Sequence, residues 1–281
     1  MAQQVIAEPV THELSTRRPS KNPASRSWAP AAVLVVALVF FFIPWVCAAI
    51  FGFTRPGEGV TAAPLVESLQ NPRAGGAIAN TLLLTAATTV LMLVLLVPTV
   101  VYVNLYSPRM ARVAEALSVL PLVVPAVALV SGVSEFYRVI APAFLNSMWS
   151  LVPLYVVLAL PLCYRVIDAG VKALDLRTLV AASTSLGATA RTTMFSVIVP
   201  NLKVAMLSAA LLCVALCLSE YAMASLLLHY TFPVFLVEVG AVQPRGIAAL
   251  SFITLLVTWA LLASISSFAK TGRASRRKKD K

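Results

Sequence analysis

The sequence is poor in charged side chains and in residues that carry polar chemistry. Only 12% of its 281 residues are charged and His occurs twice, whereas 59% are hydrophobic and mean hydropathy is +0.88. A soluble domain carries about 25% charged residues. The composition therefore excludes a soluble globular enzyme, a disordered chain and a fibrous repeat, and it predicts an integral membrane protein.

Cysteine is also scarce. Cys47, Cys163, Cys213 and Cys217 all fall within apolar runs. Cys213 and Cys217 share one helix face at i,i+4, but neither histidine is near them in sequence. We interpret all four as small apolar side chains rather than as metal ligands or a disulfide framework.

The formal net charge is +11, which in a soluble protein would suggest a nucleic-acid partner. Here the basic residues lie mostly in tails and in loops between apolar runs. That placement is typical of membrane orientation signals, so no nucleic-acid partner is expected.

Six apolar runs are long enough to span a bilayer, which takes about 20 residues. Backbone polar groups in lipid must be satisfied internally, so each run is predicted to be a helix. The fold class expected is all-α integral membrane with six transmembrane helices. The runs cover residues 30–53, 77–104, 113–136, 149–167, 202–228 and 246–268.

The distribution of Lys and Arg predicts the orientation. Eighteen of the 22 lie on one side: in the two tails, in the loop between the second and third runs, and in the segment between the fourth and fifth runs together with the adjoining ends of those runs (Arg165 and Lys203). The other four lie on the opposite side. Both termini are therefore expected in the cytoplasm, in a multi-pass protein of the plasma or inner membrane. The expected regions are a cytoplasmic tail (1–28), the transmembrane domain (29–269) and a basic tail near anionic membrane lipid (270–281).

The segment between the fourth and fifth runs, residues 168–201, is too polar to span. Its pattern predicts a helix from Leu176 to Leu186, a break at Gly187, a second helix from Thr189 to Val199, and a stop at Pro200. Such a helix–Gly–helix element fits a docking site for a partner. An amphipathic pair lying at the lipid interface fits the spacing equally well.

This segment resembles the EAA loop of the permease subunits of ABC importers, whose pattern is E-A-A-x₃-G-x₉-I-x-L-P. Ala182, Gly187 and Pro200 match it outright, and the Glu of the pattern falls on Ala181. The resemblance extends over about residues 77–265, including the place of the loop before the fifth of six runs. The remaining aligned positions are Ser183, Val197 and Val199.

What the resemblance implies is a type I ABC-importer permease fold with a cytoplasmic coupling helix between helices 4 and 5. It implies a second permease subunit, identical or paralogous, two ATPase subunits and an extracytoplasmic solute-binding protein. The ATPase-coupling positions would be Ala181, Ala182, Ser183, Gly187 and Pro200. ATP and Mg would bind the partner ATPase, because this chain has no Gly-rich phosphate loop and is not expected to be an enzyme.

Glu220 is the polar residue that stands out within the fifth run, between Ser219 and Tyr221. A carboxylate in lipid is costly, so it is expected to face a water path or the bundle interior. It lines a solute pathway, together with Ser219, Tyr221 and Asn80, or it makes a structural hydrogen bond. The spans are most similar to the permease branch that serves polyamines, ferric iron, thiamine, sulfate or molybdate, and phosphonates. Within that branch a carboxylate at Glu220 favours a cation such as spermidine or putrescine, and the resemblance is to the spermidine and putrescine type.

Two other classes stay open from the sequence. A membrane scaffold or assembly protein needs no coupling loop. An intramembrane lipid enzyme needs clustered His, Asp, Glu or Cys near one bilayer surface, and the carboxylates of this chain are scattered.

Overall fold

The computed structural model describes residues 28–279. The expected N-terminal tail, apart from Trp28, and the last two residues of the basic tail lie outside the described residues. The chain divides into two compact units, one ending at Trp45 and the other beginning at Val46.

The first unit is described from Trp28 onward and consists of most of helix α1 (Trp28–Gly52). Its side chains are almost all apolar, and Phe40, Phe41 and Phe42 are exposed. This is the surface that a lipid-embedded helix presents, since lipid tails solvate apolar side chains.

The second unit contains all the remaining elements. After α1 comes a two-residue antiparallel hairpin in which Thr54 pairs with Val60. The chain is otherwise helical. The elements are β1 (Thr54–Arg55), β2 (Gly59–Val60), α2 (Ala63–Leu69), α3 (Pro72–Tyr106), α4 (Pro108–Val123), α5 (Ala126–Ile140), α6 (Pro142–Leu145), a 3₁₀ turn (Met148–Ser150), α7 (Leu151–Lys172), α8 (Leu176–Ser185), α9 (Ala190–Thr192), a π-helical segment (Thr193–Ile198), α10 (Val199–Ser219), α11 (Ala222–Leu226), α12 (Phe232–Gly240) and α13 (Pro244–Lys279).

The chain is an all-α membrane protein. Among the described residues, four helical stretches are long and apolar enough to cross a bilayer, or five if the bent pair of α4 and α5 is one span. The sixth predicted run falls in α13, whose apolar part Pro244–Ala260 is shorter. The four stretches are Pro30–Gly52, Pro72–Tyr106, Met148–Lys172 and Ala190–Ser219.

The third predicted run is broken rather than straight. Its halves, Arg109–Val123 and Ala126–Ile140, meet at an angle of 99°. Val124 is extended (φ −83°, ψ 121°), because the ring of Pro125 disfavours helical geometry in the residue before it. Pro121 lies inside α4, so the sharp break belongs to Pro125 alone.

The core of the bundle lies where α3, α7 and α10 pack side by side. Met92, Ile167 and Leu202 are fully buried there. Gly170 of α7 lets α10 approach closely, since a Cβ at this position would lie 2.4 Å from the Cβ of Ala205. A second, smaller cluster includes Ala77 and Phe235.

The predicted fifth run was wrong at its C-terminal end. Helix α10 ends at Ser219 and does not continue to residue 228. Glu220 is extended (φ −82°, ψ 112°), and the short helix α11 follows. The chain then turns at Leu228, which has a positive φ of 58°.

We predict that Gly170→Ala weakens the contact between α7 and α10. Overpacking a tight core costs about 1–3 kcal/mol. The thermal unfolding midpoint of the purified full chain should fall by several degrees, at about 2–4 °C per kcal/mol.

Gly132→Ala is the matched control, since Gly132 is also helical and a Cβ there would meet nothing within 4 Å. It should leave the midpoint unchanged or raise it slightly. Equal midpoints for the two variants would contradict the close packing of α7 on α10.

Candidate functional site

The predicted helix–Gly–helix element is present, and each of its parts has a local cause. We call residues 175–193 the hairpin. Asp175 caps α8: its Oδ1 accepts a hydrogen bond from the backbone N–H of Thr178 at 3.3 Å, and its Oδ2 accepts one from the Thr178 hydroxyl at 2.6 Å. These hydrogen bonds lower the pKa of Asp175 below its ordinary value.

Gly187 ends α8 as predicted. Its φ is +79°, a left-handed conformation that L side chains rarely adopt. The N–H of Gly187 donates to the carbonyl of Thr184 at 2.9 Å, and the N–H of Ala188 donates to the carbonyl of Ser183 at 3.0 Å. This is a Schellman motif, which satisfies the last carbonyls of the helix.

Ser183 holds the two arms of the hairpin together. It is buried, and its hydroxyl is 2.9 Å from that of Thr193, the first residue of the π-helical segment. The hydroxyl also donates to the carbonyl of Val180 at 3.0 Å. Among the predicted coupling positions, Ser183 therefore acts inside the hairpin rather than on its surface.

The exposed face of α8 carries small apolar residues beside polar ones. Ala181 and Ala182 are exposed, as are Ser185 and Arg177. Leu186, beside the glycine, is 88% exposed. A leucine so open to solvent next to a run of small residues suits a partner surface with a pocket for one aliphatic side chain.

Pro200 does not end the second arm, so this part of the prediction was wrong. The helix runs without interruption from α9 through the π-helical segment into α10. A proline lacks the N–H of a regular helical turn. The side-chain amide of the next residue, Asn201, donates to the carbonyl of Val197 at 2.7 Å, one turn earlier in the same helix.

Glu220 lies at the break after α10, not within a span. Its Oε1 accepts a hydrogen bond from the N–H of Met223 at 2.7 Å, which caps α11. The side chain is half-buried, and its neighbours Ser219 and Tyr221 are exposed. Glu220 interacts electrostatically with Tyr155, whose buried hydroxyl has no hydrogen-bond partner among the described residues.

The short helix after Glu220 lies against the second half of the bent pair. Helix α11, which follows Glu220, packs against α5, which follows Pro125. Ser219, Glu220 and Tyr221 are consecutive residues, and they precede α11, which packs against α5. Restarted helices leave backbone groups available to a solute, as transporters with discontinuous helices do.

Asn80 is engaged elsewhere. Its Nδ2 donates to the carbonyl of Tyr230 at 2.9 Å, and the neighbouring Thr81 accepts from the N–H of Phe232 at 2.7 Å. The pair fixes α3 to the start of α12. No hydrogen bond joins Asn80 to Glu220 within residues 28–279.

A charged network at the other end of the bundle was missed from the sequence. Asp168 of α7 is 6% exposed, and it accepts a hydrogen bond from Asn104 of α3 at 2.9 Å. Lys172 lies 2.5 Å from Asp168 and 3.7 Å from Glu115 of α4. The spacing of Asp168 and Lys172, four residues apart at the end of the fourth run, was the available signal.

We predict that the stability of α8 depends on pH through Asp175. Because its pKa is lowered in the folded chain, the ionised carboxylate stabilises the helix above its ordinary pKa, and that contribution is lost as pH falls through the folded value. Amide hydrogen exchange in α8 should accelerate over this acidic range after correction for intrinsic rates.

Asp175→Asn tests the cause, since Asn is also a good N-cap but does not titrate. Its α8 amides should show no such step, and Asp175→Ala should exchange fast at every pH. The same acidic step in Asp175→Asn would assign the effect to another group.

The comparisons with known proteins add no relationship. No protein-family model matches the chain, and no curated protein matches its sequence. What the structure shows is an all-α membrane protein with two distinctive places. One is a capped hairpin with an exposed small-residue face, and the other is a carboxylate at the break between α10 and α11.

Proposed function

We propose that the chain is the permease subunit of an ATP-driven, binding-protein-dependent importer. The observation that carries the proposal is the hairpin: a capped helix, a left-handed Gly187 and a second arm continuous with a span. A rigid element joined to a transmembrane helix can pass a push from outside the membrane into the bundle.

In this proposal a partner ATPase covers the exposed face of α8. Ala181 and Ala182 allow close approach, Leu186 enters a pocket on the partner, and Ser183 and Gly187 keep the two arms in position. ATP and Mg bind the ATPase, and this chain performs no chemistry. Pro200 acts within the second arm rather than at its end.

The remaining parts of the importer follow from the same family resemblance. They are a second permease subunit, identical or paralogous, two ATPase subunits and an extracytoplasmic solute-binding protein. Six spans in a type I arrangement complete the fold, with the sixth in α13 and both termini in the cytoplasm. ATP binding and hydrolysis then shift the populations of inward- and outward-facing states.

The proposed solute is cationic, and a polyamine is the leading example. Glu220 uses one carboxylate oxygen to cap α11, and the structure gives the other no hydrogen-bond partner among the described residues. Its side chain is half-buried beside exposed Ser219 and Tyr221. A carboxylate in that setting favours an ammonium group over a neutral or anionic solute.

We predict that Leu186→Glu abolishes capture of an ATPase subunit. A charge placed in an apolar contact leaves that charge desolvated and unpaired. The measurement is co-purification of ATPase with the tagged chain in mild detergent, identified by mass spectrometry. Leu228→Glu is the control, because Leu228 is 91% exposed and lies beyond the opposite end of α10.

The Leu228→Glu chain should retain the ATPase and the Leu186→Glu chain should lose it. A cysteine at Ala182, which is exposed, is the position for crosslinking, since Ser183 is buried. If the native chain captures no ATPase and this cysteine gives no adduct, the importer proposal fails and a scaffold becomes the better assignment.

We predict that Glu220→Gln lowers uptake of radiolabelled spermidine or putrescine about 10- to 100-fold. Hydrogen bonds to charged groups contribute about 1.5–3 kcal/mol. The glutamine can still accept from Met223, so the cap of α11 is kept. A purely structural role for Glu220 therefore leaves uptake unchanged.

Glu135→Gln is the matched control, because Glu135 is an exposed carboxylate paired with Arg138 at 3.1 Å. Its uptake should equal that of the native chain. Native uptake that is insensitive to both substitutions would refute the solute contact while leaving the coupling proposal intact.

A further inference from the structure

An apolar groove lies between α3 and the helix that runs from α9 through the π-helical segment into α10. Its inner part, about 250 Å³, is lined by side chains that are all apolar, among them Val94, Val97, Phe195 and Met206. Its outer part, about 490 Å³, is lined by Tyr102, Tyr106 and residues of the hairpin. Met194 lines both parts, and the α3 residues of the two parts follow one another along one face of that helix.

The length of the groove matches one bilayer leaflet. On α3 it extends from Leu93 to Tyr106, which is about 20 Å at 1.5 Å per residue. Half of the hydrocarbon core is about 15 Å. The groove is therefore long enough to cover the depth of a leaflet, and its inner part offers no polar side chain for a polar solute.

The outer end of the groove has the marks of the membrane interface. Tyr102 and Tyr106 are exposed with ring centroids 4.9 Å apart. Tyrosines of this kind are enriched at the level of lipid headgroups. Thr184, Ala188 and Ala190 of the hairpin complete the mouth.

Two cations lie close in sequence to residues of this mouth. Arg191 follows Ala190, which lines the groove, and Arg109 follows Tyr106 by three residues. Both arginines are exposed, and neither forms an ion pair with any described residue. Basic residues at the cytoplasmic end of a groove between helices favour the headgroup of an anionic lipid.

We propose that this groove holds one anionic phospholipid, with an acyl chain between α3 and α10 and its phosphate beside Arg191 and Arg109. Val180 and Thr184 of α8 line the same groove, so the bound lipid packs one arm of the hairpin against α3. The assignment depends on the groove and its charges, and it holds whether or not the chain is a transporter.

The test uses the full chain in phosphatidylcholine vesicles that contain a little phosphatidylglycerol with a photoreactive group on its acyl chain. Adducts, mapped by mass spectrometry, should fall on groove residues. Val94→Trp should lower them at least threefold by filling the groove. Val90→Trp is the matched control: Val90 lies one turn away on α3, is 63% exposed against 62% for Val94, and does not line the groove.

The headgroup is tested separately, in case the bulky substitution disturbs folding. Arg191→Gln should remove the preference for phosphatidylglycerol over a phosphatidylcholine probe with the same chain, while Arg165→Gln, an exposed arginine on α7, should not. Equal labelling of the two probes by the native chain overturns the proposal. So does a photoreactive amino acid at Phe195 that crosslinks to another polypeptide instead of to lipid.

Discussion

Every backbone N–H and C=O within the hydrocarbon needs a hydrogen-bond partner inside the protein, and each irregularity of the bundle is one answer to this requirement. Before Pro125 one helix ends, and after it the next begins at an angle of 99° to the first. At Pro200 the helix continues, and the amide of Asn201 serves a nearby carbonyl. After Ser219 the carboxylate of Glu220 accepts a hydrogen bond from a backbone N–H of the next helix.

The hairpin satisfies the hydrogen-bonding requirement of its own helix ends with groups inside the hairpin. Its helix is closed by Asp175 at one end and by the Gly187 turn at the other, and Ser183 joins its arms. Its exposed apolar face is then the part left for another molecule to cover.

Much of this arrangement could be predicted from the sequence, because the signals were local. Gly187, the start of α8 and the apolar runs depend on composition and spacing within a few residues. The position of Glu220 was predicted wrongly, because the apolar run continues to residue 228 whereas helix α10 ends at Ser219. The length of an apolar run cannot reveal that one helix ends within it and another begins. The contacts of Asp168 were missed since Asn104 is 64 residues away and only packing brings them together.

The π-helical segment Thr193–Ile198 holds about one residue more than the α-helical turn that it replaces. If the segment took ordinary α geometry, the extra residue would become part of the regular helix. The helix on one side of the segment would then rotate by about 100° and move by about 1.5 Å along the axis relative to the other side. The backbone would stay hydrogen-bonded on both sides of such a change. A change confined to these six residues would therefore rotate the hairpin about the axis of α10 without breaking the helix that joins them.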